Sequence, residues 1–495
     1  MLAPAEAQTP APPPRISGNG YAIEIFQGPL LAPTQVTGVA GAYVAQAENT
    51  EGAAANPAAP AVRNPYSIDW FDYDLSLGAS LPGAFSSTDF DNHGDSFNLP
   101  NSQAGDFIDL TLGATFKFGA LGVAVTGDLE QYSLTTTAGS GLVPVGGAGL
   151  TLEIGRWNAL GAYALFDGQL VLGGGARILT LQIHENEQSF EKSLLPTPIQ
   201  NGTSLLVQSG TTLLTMTGAA PEVGAVYMPT GAQFRLGVAA RGTVSGGIFG
   251  GDHVTSSSIG VRSTGPFVLP SQVVEPWEVD VGVAYQLGPR PLNPGWRNPH
   301  DEATSLREQI LEAREQRAKL REQDLQALPP AARKAREAQL DAEEETARAE
   351  EDGRLDAALK HLHDQAEARY KNWPRERILL LASVLLTGPS TSAVSVEGFL
   401  DQRVETVGRT VSATPRVGLE GEPLRDRMQL RVGTYVEPSR YETGTPRQHF
   451  TFGGDVRLVP CTFWGLFPKD PWKIGFVVDA APRYTNYGLA IGMWH

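Results

Sequence analysis

"FIDLTLGATFKF", residues 107 to 118, decides the fold. Side chains of a strand point alternately to opposite faces, so Ile108, Leu110, Leu112, Ala114, Phe116 and Phe118 share one face of an extended chain. Asp109, Thr111, Gly113, Thr115 and Lys117 share the other. The pattern returns where Trp277, Val279, Val281, Val283, Tyr285 and Leu287 alternate with Glu278, Asp280, Gly282, Ala284 and Gln286. It returns again with Phe450, Phe452, Val456 and Leu458 opposite Thr451, Asp455 and Arg457, and with Trp472, Ile474, Phe476 and Val478 opposite Lys473, Gly475 and Asp479. A soluble sandwich alternates as well, so the choice falls to the connections.

Strands are expected near 67–81, 106–118, 120–132, 148–165, 168–183, 219–228, 232–244, 276–287, 374–387, 410–420, 427–437, 447–458, 471–481 and 484–495. Long loops follow the first, third, fifth, seventh and ninth, whereas "FGAL", "FDGQ", "MPTGA" and "EGEPLRD" read as tight turns. Short turns at one end, long loops at the other and an even strand count describe an outer-membrane barrel, here all-β with about 14 antiparallel transmembrane strands. Amphipathic rings gather at membrane interfaces. In this scheme Trp70, Trp296, Trp373, Trp464, Trp472 and Trp494 fall near the short-turn end, and Trp277, Tyr484 and Tyr487 at the opposite rim. Trp157 has no obvious level.

Composition agrees. Among 495 residues there are 55 Gly and 36 Pro with 41% hydrophobic residues, a profile of many strands joined by turns. A net charge of -16 without a basic stripe argues against a nucleic-acid partner. The lone Cys461 has no partner for an internal disulfide and reads as a packed small residue. The longest apolar run, "ILLLASVLL" at 378 to 386, is about half of the roughly 20 residues that a spanning helix requires. No Gly-x-Ser-x-Gly elbow, His-Glu-x-x-His or phosphate-binding Gly-Lys-Ser/Thr is present, so neither an enzyme nor a cofactor is expected. The acids Glu278 and Asp280, with Asp455 and Asp479, read as lumen charges beside inward Arg235, Arg241, Arg416 and Arg431. These arginines either balance the acids or face a ligand carboxylate. In "DFDNHGDSFN", Asp89, Asp91, Asn92 and Asp95 offer oxygen ligands of the kind calcium accepts, without the closing Glu of an EF-hand loop; ordinary turn chemistry is the competing reading.

Residues 1–15 are expected to be the remnant of a secretory leader followed by a Pro-rich linker, or a plain disordered terminus. The stretch "GVAGAYVAQAENTEGAAANPAAPAV", 38 to 62, has small residues almost throughout and no apolar face wide enough for a core. A barrel of this size has a lumen that leaks, and small side chains let a plug pack closely against its wall. Residues 16–64 are therefore read as a hatch inside the barrel, with Asn56 bonding neighbouring backbone and Pro57 stiffening the turn. Here the sequence resembles the FadL-like family of outer-membrane transporters for fatty acids and other hydrophobic compounds. The resemblance rests on Gly38, Gly41, Ala42, Tyr43, Ala45 and Ala47, then Asn56, Pro57 and Ala58, ahead of a 14-stranded barrel. It implies an N-terminal hatch, a bacterial outer-membrane location and a hydrophobic ligand. The ending Gly-Met-Trp-His departs from the usual aromatic assembly signal, a place Trp494 is expected to take.

Residues 291–373 interrupt the barrel between its segments 65–290 and 374–495. Within them, 301–370 is rich in Ala, Glu, Arg and Gln, with Leu306, Ile310, Ala313 and Leu320 on one helical face and Leu355, Leu359, Leu362, Ala366 and Tyr370 on another. Pro329 and Pro330 divide it into a hairpin of coiled-coil character, at the short-turn, periplasmic side. It is either a docking arm for an envelope partner or a solvated hairpin with ion pairs. His361 and His363, two apart, face different directions and do not form a metal site.

Three functions are compatible with these features. One is a hatch-gated channel for hydrophobic small molecules such as long-chain fatty acids, with the glycines of "LVLGGGAR" at 170 to 177 opening a gap in the wall. Another is a scaffold barrel presenting the hairpin. The third, an outer-membrane hydrolase, lacks a catalytic constellation.

Overall fold

The computed structural model describes residues 13–26, 28–63, 70–83, 89–93, 102–136, 149–185, 211–250, 255–256, 262–264, 267–296, 303–372, 374, 376–390, 393–442, 444–458 and 471–494. Trp373, Cys461, Trp464 and Asp95 lie outside the described residues. The first elements are strand β1 (Ala22–Glu24) and the short helices α1 (Thr34–Gly38) and α2 (Asn49–Ala53). The wall then begins with β2 (Phe71–Pro82), β3 (Ser102–Phe118), β4 (Leu121–Thr136), β5 (Gly149–Leu165), β6 (Leu170–Glu185), β7 (Thr211–Tyr227) and β8 (Phe234–Arg241). Beyond it come β9 (Val244–Gly250), a small patch of β10 (Thr255–Ser256), β11 (Arg262–Thr264) and β12 (Phe267–Val268), then β13 (Gln272–Glu275) and β14 (Glu278–Leu287). The helical arms are α3 (Thr304–Ala327) and α4 (Pro330–Asn372). The chain returns through β15 (Ile378–Thr387), β16 (Ala393–Val394), α5 (Val396–Leu400) and β17 (Thr406–Val407). It ends with β18 (Ser412–Leu424), β19 (Met428–Glu437), β20 (Arg447–Arg457), β21 (Trp472–Ala481) and β22 (Tyr484–Met493).

Strands β2 to β8, β14, β15 and β18 to β22 pair each with the next, all antiparallel, and β22 returns to β2 through Ser76↔Gly492 to Pro82↔Asn486. Fourteen strands therefore close a barrel, which removes every unpaired edge. The outer face carries Val281 at 54% exposure and Phe452 at 45%, whereas their neighbours Asp280 and Thr451 are 3% and 4% exposed. No helix among the described residues is long and apolar enough to cross a membrane. An apolar exterior on a closed, even-stranded antiparallel barrel is the form outer-membrane proteins take, and this chain is one of them.

Aromatic rings mark the short-turn rim. Trp70 meets Phe118 edge-on at 6.0 Å, and the Arg63 guanidinium lies 4.1 Å over Trp296. Trp494 donates from its indole Nε1 to Asp426 at 3.1 Å. Trp157, which the sequence leaves without a level, sits mid-strand against the outer surface, where Gly127 and Gly155 leave room for its ring. Tyr484 turns inward and is fully buried, while Tyr487 faces outward. The turn expected in "EGEPLRD" is shorter than anticipated, because β18 continues to Leu424 through a register shift after Gly421.

Two expectations are corrected. Ala22–Glu24 is not a free part of the lumen plug, although its side chains are buried. It is a wall strand that pairs in parallel with β13 on one side (Ala22↔Gln272 to Glu24↔Val274) and with β16 on the other (Ala22↔Ala393, Ile23↔Val394). The β14–β15 ladder ends at Glu278↔Thr387, next to Pro276 and Pro389, neither of which has an N–H to continue it. The strands part there and β1 fills the opening, held by Glu24 in a two-point pair with Arg440 at 2.7 and 3.1 Å. Nor do the glycines of "LVLGGGAR" break the wall. Gly173, Gly174 and Gly175 pair without interruption with Ala162, Gly161 and Leu160 on β5 and with Gly224, Val223 and Glu222 on β7.

The interior is layered rather than uniformly polar. Toward the long loops, inward Phe107, Tyr132, Leu150, Leu152, Leu181 and Ile183 form an apolar collar with Ile16, Tyr21, Ile23, Phe399 and Leu400. Pro14 and Arg15, expected in a free linker, belong to this cap: Val404 N donates to Pro14 O at 2.8 Å and Arg15 bridges Arg403. Below the collar comes a belt of ionised side chains, and below that the small-residue segment.

Helices α3 and α4 leave the short-turn end as an antiparallel hairpin about 36 and 65 Å long at 1.5 Å per residue. The apolar faces expected to join them do only part of this. Ile310 is buried but Leu320 is exposed, and the seam is ionic: Arg314–Glu351 at 2.9 Å, Arg317–Glu351 at 2.6 Å, Arg321–Asp341 at 2.6 Å and Arg336–Asp324 at 3.1 Å. Hydrogen bonds from Arg317 and Arg314 hold the Glu351 carboxyl down to about 2.

Single cysteines at Leu112, Val281 and Phe452 are expected to be shielded by detergent or lipid from a water-soluble thiol reagent. The opposite accessibility, with Thr111, Asp280 and Thr451 shielded in their place, would turn the barrel inside out. Deleting 303–372 is expected to leave the heat-modifiable mobility of the barrel unchanged, since no strand pairing passes through the hairpin.

Candidate functional site in the lumen

Residues 34–62 run along the inner wall with mostly small side chains, Gln35, Tyr43, Gln46, Glu48 and Glu51 apart, and the wall answers with glycines. A Cβ at Gly122, Gly173, Gly224 or Gly237 would overlap Pro60, Pro57, Asn56 or Val44, respectively. At Gly418 and Gly433 it would stand 2.6 and 2.7 Å from the Cβ atoms of Val39 and Ala40. Backbone thus lies on backbone, which only glycine in the wall permits.

Polar groups fix this contact. Asn56 Nδ2 donates to the carbonyls of Val44 (2.8 Å), Ala225 (3.2 Å) and Val238 (3.3 Å), the last two being cross-strand partners on β7 and β8. Its Oδ1 accepts from Ala58 N at 2.9 Å, closing the turn that Pro57 stiffens. Tyr43 is fully buried, and its hydroxyl accepts from Gln35 Nε2 at 2.7 Å. Gly41 adopts a φ of +76° under the Arg416 guanidinium, where a side chain would be both strained and crowded.

The predicted lumen charges converge on the same segment. Arg235 Nη1 donates to Glu48 at 2.7 Å and to Gln46 O at 3.0 Å, while its Nε donates to Asn293 at 2.7 Å. Arg241 donates to the carbonyls of Ala54 (2.7 Å) and Ala55 (3.1 Å) and stands 3.6 Å from both Glu222 and Glu278. Arg416 bonds Asp280 at 3.2 Å. Arg431 pairs with Glu420 at 2.8 Å and Asp455 at 3.0 Å, and Lys473 links Asp455 (3.1 Å) to Glu51 of α2 (3.0 Å). Asp479 sits apart from this belt, accepting from Tyr435 at 2.7 Å and facing His449, whose other nitrogen meets Glu437 at 2.6 Å.

Sequence reasoning passed over Arg156, Arg177, Glu275 and Lys473. Arg156 reaches Glu130 at 2.7 Å and Glu275 at 3.0 Å, and Arg177 reaches Glu275 at 3.3 Å. The alternation along β5 and β6 carries the signal for both arginines, because each occupies an inward position between apolar neighbours. Removing one member of such a buried pair leaves an unpaired charge, at a cost of roughly 3–5 kcal/mol.

Between belt and segment lies a cavity of about 210 Å³. Phe26, Pro29, Leu30, Leu31 and Val36 line one side, and Arg156, Arg177, Arg241, Arg416, Asp128, Glu278 and Asp280 the other. One wall is apolar and the other charged.

In the oxygen-rich loop one of the acids takes part in a turn, the reading that competes with a calcium site. Asp89 does turn chemistry, its Oδ1 accepting from His93 N at 2.9 Å, and Asp95 lies outside the described residues. His93, not singled out from sequence, instead bridges Glu397 at 3.1 Å and Glu405 at 3.0 Å.

No protein-family profile matches the chain, and no curated protein matches it. Among solved structures it is similar to a FadL homologue of Pseudomonas aeruginosa, 13% identical over 96% of this chain and 98% of that one, with a TM-score of 0.46. It is also similar to the Pseudomonas putida toluene transporter TodX, at 9% identity over 97% and 99% with a TM-score of 0.48. A third, the CymD monoaromatic hydrocarbon channel, is 9% identical over 93% and 96%, with a TM-score of 0.44.

Asn56→Ala is expected to leave the Val44, Ala225 and Val238 carbonyls short of a donor and to weaken docking of this segment by about 1–3 kcal/mol. Gly173→Val is expected to displace Pro57. Both should raise hydrogen exchange over 40–62 while the barrel keeps its heat-modifiable mobility, and unchanged protection would show that these contacts do not hold the segment.

Proposed function

We propose that this outer-membrane barrel takes up hydrophobic small molecules, long-chain fatty acids among them, and that residues 16–64 are the hatch that gates the lumen. The cavity beside the hatch carries the reading. Its apolar side is the hatch itself, so a molecule resting there presses on the element that must move for it to pass. The apolar collar toward the long loops supports entry from that side, since greasy side chains in the upper lumen are of use to a greasy cargo and of none to an aqueous pore.

The hatch is suited to shifting. Each of its small side chains buries little apolar area by itself, and polar contacts such as Asn56 to wall carbonyls, with ion pairs through Glu48 and Glu51, hold it. Hydrogen bonds of this kind are individually worth about 1 kcal/mol net and are replaceable by water. Each of the four predicted arginines pairs with a lumen or segment acid, which favours charge balance over capture of a carboxylate. The resemblance at Asn56, Pro57 and Ala58 supports the same reading, as a channel and not an enzyme.

A second reading concerns the hairpin, for which the ionic seam and exposed Leu311 and Leu320 support a stiff arm offered to a periplasmic protein. It does not compete with transport, because the hairpin stands outside the lumen.

Liposomes holding the intact barrel are expected to admit toluene or a long-chain fatty acid while retaining sugars. Deleting 34–62, which spares β1 and its pairing in the wall, is expected to let small sugars leak. Equal sugar leak before and after deletion would dismiss gating, and failure of the intact protein to speed entry of any apolar probe would dismiss hydrophobic uptake.

A further inference from the structure

At the long-loop end, His93 stands between two glutamates that are some 300 positions away in the chain. Its Nδ1 lies 3.1 Å from Glu397 Oε2 and its Nε2 3.0 Å from Glu405 Oε1, and one donor atom from each of the three residues lies within 4.8 Å of the others. The ring is stacked on Tyr441 with centroids 4.1 Å apart, which fixes its plane. Ser395 Oγ donates to Glu405 Oε2 at 3.4 Å, a contact that orients the second carboxylate.

Acid is in excess here. Burial, then the neighbouring Glu397 and Asp89 carboxylates, raise the Asp91 carboxyl well above its usual range, with His93 acting the other way. Burial likewise raises Asp401, which lies near Arg403, Glu397 and Glu405, and its Oδ1 is enclosed with no hydrogen-bond partner among the described residues. His93 acts as a cation on Asp91, Glu397 and Glu405, and Arg403 acts on Asp401. Burial by itself lowers the pKa of His93, but hydrogen bonds with Glu397 and Glu405 outweigh it and bring the group to about 10.

We propose that His93, Glu397 and Glu405 bind a divalent first-row metal ion of the Zn²⁺ type and so staple the segment after β2 to the loop after β15. One imidazole nitrogen with two carboxylates is a donor set that suits such an ion, the remaining positions being open to water. Without metal, an imidazolium lies between the two carboxylates with one N–H toward each, and an ion bound at one nitrogen replaces the proton there. Binding therefore releases one proton from His93 for each ion taken up.

The location gives the ion a structural effect. The loop carrying Glu397 and Glu405 also holds the start of the chain, through Ile16 N to Gln402 O at 2.9 Å and Val404 N to Pro14 O at 2.8 Å. Metal would stiffen the cap from which β1 and the following hatch segment descend.

The test uses the full chain, tag-free in detergent and stripped with a chelator, titrated calorimetrically with ZnCl₂ at pH 7 and pH 8 in two buffers of different ionisation heat. One saturable site is expected, with about one proton released and affinity up to about tenfold higher at the upper pH, since His93 competes as a proton acceptor. His93→Ala and Glu405→Gln are each expected to weaken binding about tenfold or more. If His93→Ala fails to give a heat-modifiable barrel, the size-conserving Glu405→Gln decides alone. No saturable binding at either pH, or equal affinity in wild type and Glu405→Gln, overturns the proposal and leaves His93 as an imidazolium in a plain ion-pair bridge.

Discussion

The contact between the backbone of residues 34–62 and the wall glycines is the constraint on which the rest of this structure depends. Fourteen strands enclose a lumen that inward side chains do not fill by themselves. Something must enter, and it enters as backbone lined with Ala, Gly and Val laid against Gly122, Gly173, Gly224 and Gly237. Any Cβ at those four positions would push the segment off the wall. The Asn56 bonds to the Ala225 and Val238 carbonyls are only possible at this closeness.

Once the segment is in place, its surroundings determine where charge can be tolerated. Arg235, Arg241, Arg416 and Arg431 are withdrawn from bulk water, and such ions persist only when paired and hydrogen-bonded. Acids on neighbouring strands supply some of the partners. The 34–62 segment supplies others, through Glu48 and the carbonyls of Gly41, Gln46, Ala54 and Ala55, and its Glu51 partners Lys473. The charged belt is therefore part of what holds this segment. The cavity between them is lined by apolar residues such as Leu30, Leu31 and Val36 and by ionic ones such as Arg156, Arg241 and Asp280.

The hairpin follows different rules because it stands in water. Buried apolar area contributes little between α3 and α4; the arms are registered by guanidinium–carboxylate pairs such as Arg317 with Glu344 and Glu351. Exposed pairs contribute modestly one by one, but a row of them along two antiparallel helices fixes direction and offset.

Alternation along Phe107–Phe118 and its counterparts is a local property with a period of two, so the sequence by itself determined which side of each strand meets lipid, and the connections determined the strand count. The small residues of 38–62 announced a segment with no core of its own, and its buried Ala and Val instead pack on wall residues such as Leu160 and Leu379; Pro329-Pro330 announced the break in the hairpin. Tertiary structure alone decided the rest, because those contacts exist only after the ring closes. Ala22–Glu24 becomes wall where Pro276 and Pro389 end a ladder more than 200 residues downstream. Gly173 reads in sequence as a weakness in a strand and serves in space as the seat of Pro57. His93 meets Glu397 across 304 positions. A strand's face is fixed by neighbours two residues away, whereas its partner across the lumen is fixed by closure of the whole barrel, which no local pattern records.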